Sequence, residues 1–590
     1  MVFRDSWLAL RAELSGMQGP LNRRQTVVLG GAVLIAAVSF TILYVERETP
    51  TWFWDYANYH EKYKELIDNL YEGIFPFLQQ VRRSVLQSQH NLTSVLPLLP
   101  GRLLLGPHRV GYIVSLVIFY LLPACLLTAA LARSVWWQPG AHLPALALTG
   151  FALLYSPYWA PTLRGHPDVV CVLPLASATL LLIQSRYLLD ATPGRALLIG
   201  LLLWCSFLLR RHVLFTVASL VAACLVFAGV LALRRRRRHQ GLGRGRWPLN
   251  MVCMLATMVI PALVFQHSYL QEILNPNYGS TFGAYQQSLA SQLQELWAFF
   301  GPLLLGSAVL GTLVALAWRR DGILFCGSVA VLALLGFQAV QAPSDQHLLI
   351  LSLFLFPAAC APLVLIDRHL DRPLRHVLTG LWFLLPGAAF LHTFPLQARS
   401  LPQSASVWSV VAPARTYPPL RLASYRQVKQ LVADLRRLAE ARGENVSFAI
   451  LASSDQLNSH IVRALSRRKL RERLISVSDV DRRDAFQLKT LETDYIVATD
   501  PPAIHLGESE QRVITIPSRA LRTAGNPLNR AYRHLPGLDQ RLADGSVASI
   551  YERIQPPSEE EVIWLHREFR RCIPSWQRYP THIGKPRGGF

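Results

Sequence analysis

The chain has 590 residues, of which 51% are hydrophobic and 16% are charged, and its mean hydropathy is +0.26. These values exclude an ordinary soluble protein, in which about a quarter of the residues are charged, and they indicate a polytopic membrane protein. The net charge of +22 would suit nucleic acid, but no zinc-finger, homeodomain or RNA-binding motif is present, so no nucleic-acid partner is expected. The eight cysteines lack the spacing of a metal site or a disulfide framework.

Charged residues are sparse before residue 396 and dense after it. The predicted parts are a cytoplasmic leader over 1–25, a membrane domain over 26–395, a soluble extracytoplasmic α/β domain over 396–575 and a disordered tail over 576–590. No cleavable signal peptide is expected, because the first apolar run continues into LYVERE without a small-residue cleavage site.

Apolar runs in the membrane domain predict about 11 transmembrane helices, each close to the length that a hydrocarbon core of about 30 Å requires. The runs cover 26–45, 109–132, 143–159, 168–185, 196–209, 213–233, 248–266, 296–318, 323–341, 348–366 and 377–395.

The basic residues predict the orientation, because cytoplasmic loops are enriched in Lys and Arg. With the N-terminus in the cytoplasm, the segment RRRRRHQGLGRGR at 234–246 is also cytoplasmic if 196–233 makes two passes. A single pass would export this arginine run, so two passes are predicted. The outer face then carries the C-terminal domain and the loops 46–108, 160–167, 210–212, 267–295 and 342–347.

The first outer loop contains WFWDYANYHEKYKEL at 52–66. Its apolar and aromatic residues recur at helical spacing from Tyr56 to Leu66, which predicts an amphipathic helix on the membrane surface. Asp55 stands at the expected N-cap, and the simple interpretation is that it caps backbone N–H groups. Capping would also keep the carboxylate ionised, as a general base requires.

Two further outer loops carry charges at the ends of apolar runs. In LRGHPDVV, Asp168 begins a span and follows Arg164 and His166, a cluster larger than helix capping needs. In FLLRRHVLF, Arg210 and Arg211 lie slightly within the bilayer. They either extend to lipid headgroups or bind a phosphate bidentately, and the second interpretation is favoured.

The remaining outer loops are polar. DQHLLILSLFLFP places Asp345 and His347 at the mouth of a span, and the loop 267–295 has no Lys or Arg but many hydroxyl and amide side chains. Such a loop suits sugars, and it also suits any hydrated surface.

The C-terminal domain alternates between helix and strand patterns, which predicts a small α/β domain. A helix is expected at QLNSHIVRALSRRKL, capped by Ser453, Ser454 or Asp455. Other helices are expected at YRQVKQLVADLRRLAEA and from about residue 557, and strands at 447–453, 494–500, 512–517 and 546–554. No glycine-rich loop follows a strand, so nucleotide binding is not predicted.

In the order of its motifs, the chain resembles the C-type membrane glycosyltransferases, and among them the protein O-mannosyltransferase and aminoarabinose-transferase group. The resemblance covers the layout of 26–395 and is carried by WFWDYANYH, LRGHPDVV, FLLRRHVLF and DQHLLILSLFLFP. Many relatives have an Asp-Glu pair in the first loop, whereas here Tyr56 follows Asp55. This difference weakens assignment to the protein-mannosyl branch.

The resemblance implies an inverting enzyme that moves a sugar from a polyprenyl-phosphate donor to a hydroxyl of an envelope lipid, glycan or protein. It implies that Asp55 is the general base and that Asp168 assists the acceptor or the electrostatics of the site. By the same resemblance, Arg210, Arg211, Arg164 and His347 bind the donor phosphate, and Tyr56, His60, His166 and Asp345 contact the substrates. No cofactor beyond the lipid-linked donor is indicated, and a divalent metal ion remains open.

The acids and arginines of the outer loops can supply the groups that this reaction needs. Attack on an anomeric carbon needs a base and a stabilised leaving oxygen, and a phosphate leaving group needs cations rather than a proton donor. A hydrolase typically uses two catalytic carboxyl groups. One alternative is a transporter or flippase of an anionic lipid, which predicts charges along the spans and internally repeated halves. Another is a non-catalytic envelope assembly protein, in which Asp55 can be replaced without effect. The expected location is the bacterial inner membrane, with the C-terminal domain in the periplasm.

Overall fold

The structure, a computed structural model, describes residues 23–49, 54–87, 91–136, 145–237, 246–275, 278–396, 410–442 and 446–584. Most of the predicted leader over 1–25 lies outside these residues. The chain divides into two compact units. The membrane unit comprises Met1–Glu46, Asn58–Leu274 and Gln287–Pro419, and the sheet unit comprises Arg47–Ala57, Asn275–Gln286 and Leu420–Phe590.

Among the described residues, nine helices are long and apolar enough to cross a membrane. They are Arg24–Val45, Arg109–Trp136, Pro167–Gln184, Arg211–Arg237, Trp247–Phe265, Leu289–Ala317, Asp321–Gln338, Asp345–His369 and Arg372–Thr393. Shorter helices are Trp54–Tyr71, Ile74–Gln87, Leu99–Leu105, Ala145–Leu153, Ser156–Arg164, Pro193–Leu209 and His267–Leu274. The chain is therefore an integral membrane protein, as its composition predicted.

The nine long helices correspond to nine of the predicted runs. The other two runs, 143–159 and 196–209, form helices that are shorter than these nine. The run 143–159 is interrupted between Ala145–Leu153 and Ser156–Arg164, where Tyr155 is extended and Pro157 lies in the first turn of the next helix. Proline suits a helix start because it has no N–H to donate. The predicted break within 196–233 is present, since Arg210 has an extended backbone between two helices.

Glycines allow close helix contacts in the membrane unit. A Cβ at Gly311 would overlap the carbonyl oxygen of Ala358, and one at Gly200 would overlap the carbonyl oxygen of Met254. Small residues let helix backbones approach in membranes, where dispersion replaces the hydrophobic effect as the main attraction. The protein encloses most of Asp345–His369, whereas Arg24–Val45 exposes most of its apolar side chains, as a lipid-facing helix does.

The sheet unit contains the predicted α/β domain. Its strands are β1 Phe448–Leu451, β2 Phe486–Gln487, β3 Tyr495–Asp500, β4 Tyr532–His534, β5 Gln540–Arg541, β6 Val547–Arg553, β7 Gln577–Arg578 and β8 His582–Gly584. Its main helices are Tyr425–Arg442, Ser459–Leu465, Arg468–Arg473, Asp481–Asp484, Arg512–Ala520, Pro527–Ala531 and Glu559–Cys572. The larger sheet has the order β1-β3-β6-β4 with β5 on β6, and the smaller has the order β2-β8-β7.

The central strand β3 pairs parallel to β1 and antiparallel to β6. Its side chains alternate between two buried clusters, as a strand with both faces covered requires. Tyr495 and Val497 join one cluster with Leu431 of the helix Tyr425–Arg442. Ile496 joins the other cluster, on the opposite face.

The prediction of a strand at 512–517 was wrong, because these residues begin the helix Arg512–Ala520. Their β-branched residues favour a strand locally. In the structure Val513 is buried, and its backbone N–H donates to Asp481 Oδ1 at 2.9 Å. A cap from a distant carboxylate thus overrides the local preference. The predicted cap at 453–455 is replaced by Asn458, whose Oδ1 accepts from the N–H of Ile461.

The predicted disorder over 576–590 is wrong for the described part of that stretch. Strands β7 and β8 lie within it, and β8 pairs with β2 so that Ile583 stands opposite Phe486. Trp576 is also buried. Residues 585–590 lie outside the described residues.

We predict that Asp481→Asn stabilises the protein at neutral pH. Burial raises the pKa of Asp481 to about 6 from the ordinary 3.8, so the folded state binds this proton more tightly than the unfolded state. The protonated Asp481 carboxyl makes its full contribution to the free energy of unfolding below a pH of about 4. This contribution is lost as the pH rises through about 6. Asparagine keeps an oxygen for the Val513 N–H, and the expected gain at pH 7.5 is about 1–3 kcal/mol.

The measurement is unfolding of the detergent-solubilised chain between pH 4 and pH 8. Asp455→Asn, at an exposed position, is the matched control and should change the free energy of unfolding by less than about 0.5 kcal/mol. A pH profile of Asp481→Asn that runs parallel to that of the wild type would contradict the prediction.

Candidate functional site

A buried cluster of charged and ring side chains surrounds Asp168 in the membrane unit. Arg210 Nε donates to Asp168 Oδ1 at 2.8 Å, and His212 Nε2 lies 3.2 Å from the same oxygen. His166 Nδ1 lies 3.9 Å from Asp168 Oδ2. The rings of His212 and His347 meet edge to face, with centroids 4.6 Å apart. We call these five residues the Asp168 cluster.

Each member of the cluster stands at the end of an apolar helix. Asp168 follows the first residue of the span Pro167–Gln184, and His347 lies in the first turn of Asp345–His369. Arg210 and His212 lie where Pro193–Leu209 ends and the next span begins. The structure therefore brings together residues from the three motifs LRGHPDVV, FLLRRHVLF and DQHLLILSLFLFP.

The central ion pair is removed from solvent, since the side chains of Asp168 and Arg210 are 0% and 6% exposed. Removing two charges from water costs several kcal/mol per ion. The attraction between the two charges offsets this cost only when their hydrogen-bond geometry is good. The Arg210 guanidinium also lies 4.6 Å from the ring centroid of Tyr59, which favours a cation. Asp168 and Tyr59 together fix the orientation of this guanidinium.

The ring of His347 is held by the turn that precedes its helix. The backbone N–H of Ser344 donates to His347 Nδ1 at 3.0 Å. A neutral imidazole that accepts at Nδ1 carries its proton on Nε2. Phe337 also packs on this ring, at 4.8 Å between centroids.

Other predicted phosphate ligands lie against aromatic rings. The guanidinium of Arg211 stands 4.3 Å from the ring centroid of Tyr269, and that of Arg164 stands 5.7 Å from the ring of Tyr417. The backbone oxygen of Arg164 accepts from Arg109 at 3.0 Å. These arginines are thus positioned by rings and backbone groups.

Asp345 belongs to a different ion-pair group. Its Oδ1 lies 2.5 Å from Arg415 Nη1, and its Oδ2 accepts from the Tyr417 hydroxyl at 2.8 Å. Arg415 also pairs with Glu295. Burial and the charge of Asp345 raise the pKa of Tyr417, so this hydroxyl stays protonated and donates. These contacts connect the stretch before residue 420 to the ends of two spans.

His60 is buried and packs against protein. Its Nε2 lies 3.0 Å from the carbonyl oxygen of Pro107, and its ring stacks on Tyr112 at 5.3 Å. Burial, with the charges of Lys64 and Arg109, lowers the pKa of His60 well below its usual range. This histidine is therefore neutral at pH 7.

The helix Trp54–Tyr71 differs from the surface helix that the sequence predicted. Its stripe of Tyr59, Tyr63 and Leu66 is 0–1% exposed and joins the core of the membrane unit. The amphipathic spacing is present, but protein rather than lipid covers the apolar face.

Asp55 lies in the first turn of the helix Trp54–Tyr71, in the part that belongs to the sheet unit. The backbone of Tyr56 lies in the same turn. Burial raises the pKa of Tyr285, and the negative charge of Asp55 adds to this shift. The charge of Asp55 therefore acts on Tyr285, and both residues belong to the sheet unit.

Sequence reasoning missed several residues around the site. His212 completes the Arg210-Arg211-His212 motif, and its position next to two selected arginines was an available signal. Arg109 is the first residue of a span and is 5% exposed, and a charge at that position was a second signal. Tyr59 and Tyr269 gave no signal, because rings at membrane interfaces are common. Within the described parts of the chain, no group of three or more His, Cys, Asp or Glu residues could hold a metal ion.

No family model matches the chain, and no curated protein matches it. Two solved structures of ArnT from Cupriavidus metallidurans are similar to it, each at 14% sequence identity. The apo structure has a TM-score of 0.42 and covers 77% of this chain and 87% of that chain. The structure bound to undecaprenyl phosphate has a TM-score of 0.46 and covers 81% of this chain and 93% of that chain.

We predict that Asp168 and Arg210 have a large coupling energy in the free energy of unfolding. Asp168→Asn leaves a buried guanidinium without its carboxylate and should cost about 3–5 kcal/mol. Arg210→Gln should cost a similar amount, and the double variant should lose at least about 1 kcal/mol less than the sum of the single variants. The measurement is a double-mutant cycle on unfolding of the detergent-solubilised chain.

The matched control is the pair of Arg235 and Asp190, which is more exposed and also bonds at 2.7–2.8 Å. Its coupling should be below about 1 kcal/mol. Equal coupling in the two pairs would show that the Asp168 pair is not desolvated in the membrane.

Proposed function

We propose that the protein is an inverting membrane glycosyltransferase that moves a sugar from a polyprenyl-phosphate donor to a hydroxyl acceptor on the extracytoplasmic face. The observation that carries this proposal is the Asp168 cluster. It places Arg210, His212 and His347, from separate parts of the chain, around a single carboxylate at the ends of apolar helices.

The chemistry of this cluster suits a lipid phosphate. Arginine binds phosphate best when its planar fork is held in one orientation. Arg210 is held through Nε by Asp168, and Tyr59 lies against its plane. Histidines beside it add donors and, when protonated, positive charge. A lipid-linked phosphate reaches such helix ends from within the bilayer.

The same cluster gives Asp168 a specific role. Its Oδ1 already contacts Arg210 and His212, and it is fully buried. A carboxylate in that position orients cations better than it accepts a proton from an acceptor. We therefore assign Asp168 to positioning the phosphate-binding arginine, and Arg211 to binding the phosphate.

In this proposal Asp55 is the general base. The leaving phosphate needs only stabilisation of its charge, so one base suffices for inversion at the anomeric carbon. Arg164 and His347 assist with the phosphate, and Tyr56, His60, His166 and Asp345 remain proposed substrate contacts. The acceptor is a lipid, glycan or protein of the cell envelope. The protein lies in a bacterial inner membrane, with its N-terminus on the cytoplasmic side.

The base assignment predicts that Asp55→Asn lowers turnover at least about 100-fold and leaves the binding of the donor unchanged. The assay supplies a panel of radiolabelled polyprenyl-phosphate sugars to the full chain in lipid nanodiscs and follows the loss of label from the lipid. If the wild type binds a donor but consumes none, the enzyme proposal gives way to transport or assembly. If Asp55→Asn turns over like the wild type, the base is another residue.

The phosphate assignment predicts that Arg211→Gln raises the Kd for a polyprenyl phosphate about 10–100-fold, because a hydrogen bond to a charged group contributes about 1.5–3 kcal/mol. Arg211→Lys should fall between Arg211→Gln and the wild type, since it keeps the charge but not the fork. Arg186→Gln, on the predicted cytoplasmic side, is the matched control. Equal Kd values for the two glutamine variants would refute the assignment.

A further inference from the structure

The sheet unit includes two short stretches that flank membrane helices, Arg47–Ala57 and Asn275–Gln286. The first stretch carries Asp55 and the second carries Tyr285. We infer that the C-terminal domain positions Asp55, and that Arg483 and His505 are its positioning residues. Because Asp55 is the base of the proposed function, this inference builds on that function.

The chain is fixed to the domain just before Asp55. The backbone N–H of Thr49 donates to the carbonyl oxygen of Leu420 at 2.9 Å, and Thr49 Oγ1 accepts from the N–H of Leu422 at 2.8 Å. Arg421 Nε donates to the carbonyl oxygen of Arg47 at 3.2 Å. Arg47 and Thr49 are therefore held by the domain.

Trp54, the residue next to Asp55, packs on His505. The ring centroids are 4.7 Å apart, and the Trp54 backbone has a φ of 52°. A tryptophan with positive φ is costly and persists only where the surroundings determine it. The His505 ring contact and the apolar core of the domain around Trp54 supply those surroundings.

His505 is itself held rigidly. Its Nδ1 lies 2.7 Å from the carbonyl oxygen of Ser453 and 2.8 Å from Ser453 Oγ. Its backbone N–H donates to Gln511 Oε1 at 2.8 Å, and Ser453 and Gln511 are both fully buried. Burial lowers the pKa of His505, so the ring is neutral and donates from Nδ1. Trp54 thus packs against a fixed surface.

Arg483 contacts the second stretch, Asn275–Gln286, through Tyr285. Its Nη1 donates to the Tyr285 hydroxyl at 3.0 Å, while Nε and Nη2 form a bidentate pair with Asp484 at 2.8 and 2.9 Å. Asp484 accepts in turn from the backbone N–H groups of Asp479 and Val480. The guanidinium is therefore fixed by the backbone of the domain and in turn holds the Tyr285 phenol, on which the charge of Asp55 acts.

These contacts imply that the domain is part of the catalytic framework. General-base catalysis depends on holding the base within hydrogen-bond reach of the acceptor hydroxyl, and a misplacement of about 1 Å can cost about 100-fold in rate. Trp54, the neighbour of Asp55 along the chain, packs on His505, and Tyr285, on which the charge of Asp55 acts, is bonded by Arg483, so both depend on residues of the C-terminal domain.

The test compares Arg483→Gln with Arg482→Gln, since Arg482 is the exposed neighbour. Arg483→Gln should lower kcat at least about 10-fold with the donor KM unchanged, Arg483→Lys should recover part of the loss, and Arg482→Gln should match the wild type. At the second contact, His505→Ala should lower kcat, whereas His505→Phe, which keeps a ring against Trp54, should retain most of it.

Hydrogen exchange gives a measurement that needs no turnover. Amides in the first two turns of the helix Trp54–Tyr71 should exchange faster in Arg483→Gln and His505→Ala than in the wild type and in Arg482→Gln. If the wild type transfers sugar and both variants have wild-type kcat, the inference is overturned and the proposed function stands. If the wild type transfers none but exchange changes as expected, the proposed function fails and the positioning contact stands. Faster exchange throughout the sheet unit would indicate unfolding and would overturn the inference.

Discussion

The membrane unit depends on one electrostatic constraint, which is that a charge placed among apolar helices must have a partner of opposite charge. Asp168 and Arg210 are both buried, and the bond between them joins the end of one helix to the start of another. A single buried carboxylate cannot be hydrated there, and neither can a single guanidinium. The pair therefore requires these helix ends to meet. His212 comes to the same place because it lies on the same connection as Arg210, and His347 reaches it from the first turn of Asp345–His369.

The contacts of the other candidate residues differ from those of the Asp168 cluster. Asp345 uses both of its oxygens on Arg415 and Tyr417, and His60 is neutral and packed on Tyr112. Both were selected from the sequence on the same grounds as Asp168. Both contact other protein groups, whereas the Asp168 cluster combines an oriented guanidinium with two imidazole rings, the groups that bind a phosphate.

In the sheet unit, polar contacts have a comparable organising effect. Asp481 caps a helix that its own sequence would favour as a strand. Arg483, two residues later, links a short loop stretch to the domain through Tyr285. A small helix of charged residues, Asp481–Asp484, thus fixes a helix start on one side and a loop on the other. The burial that raises the pKa of Asp481 is the cost of this arrangement.

The sequence by itself determined the membrane class, the break at Arg210, the strands β1, β3 and β6, and eleven apolar runs, nine of which form full-length spans among the described residues. Apolar runs and charge at their ends are local signals, because burying a charge in a bilayer is costly wherever it occurs. It also selected Asp168 and Arg210 as candidate site residues, and the structure places the two in contact.

Only the tertiary structure decided the pairings. The partners of Asp168, Asp345 and Tyr285 lie 42, 70 and 198 residues away along the chain, and no local pattern specifies such a contact. The same holds for strand β8, whose short sequence forms a strand because β2 and β7 lie on either side of it. Long-range contacts are set by the packing of the whole unit, and for that reason the residues of the site could be selected from the sequence while their roles could not.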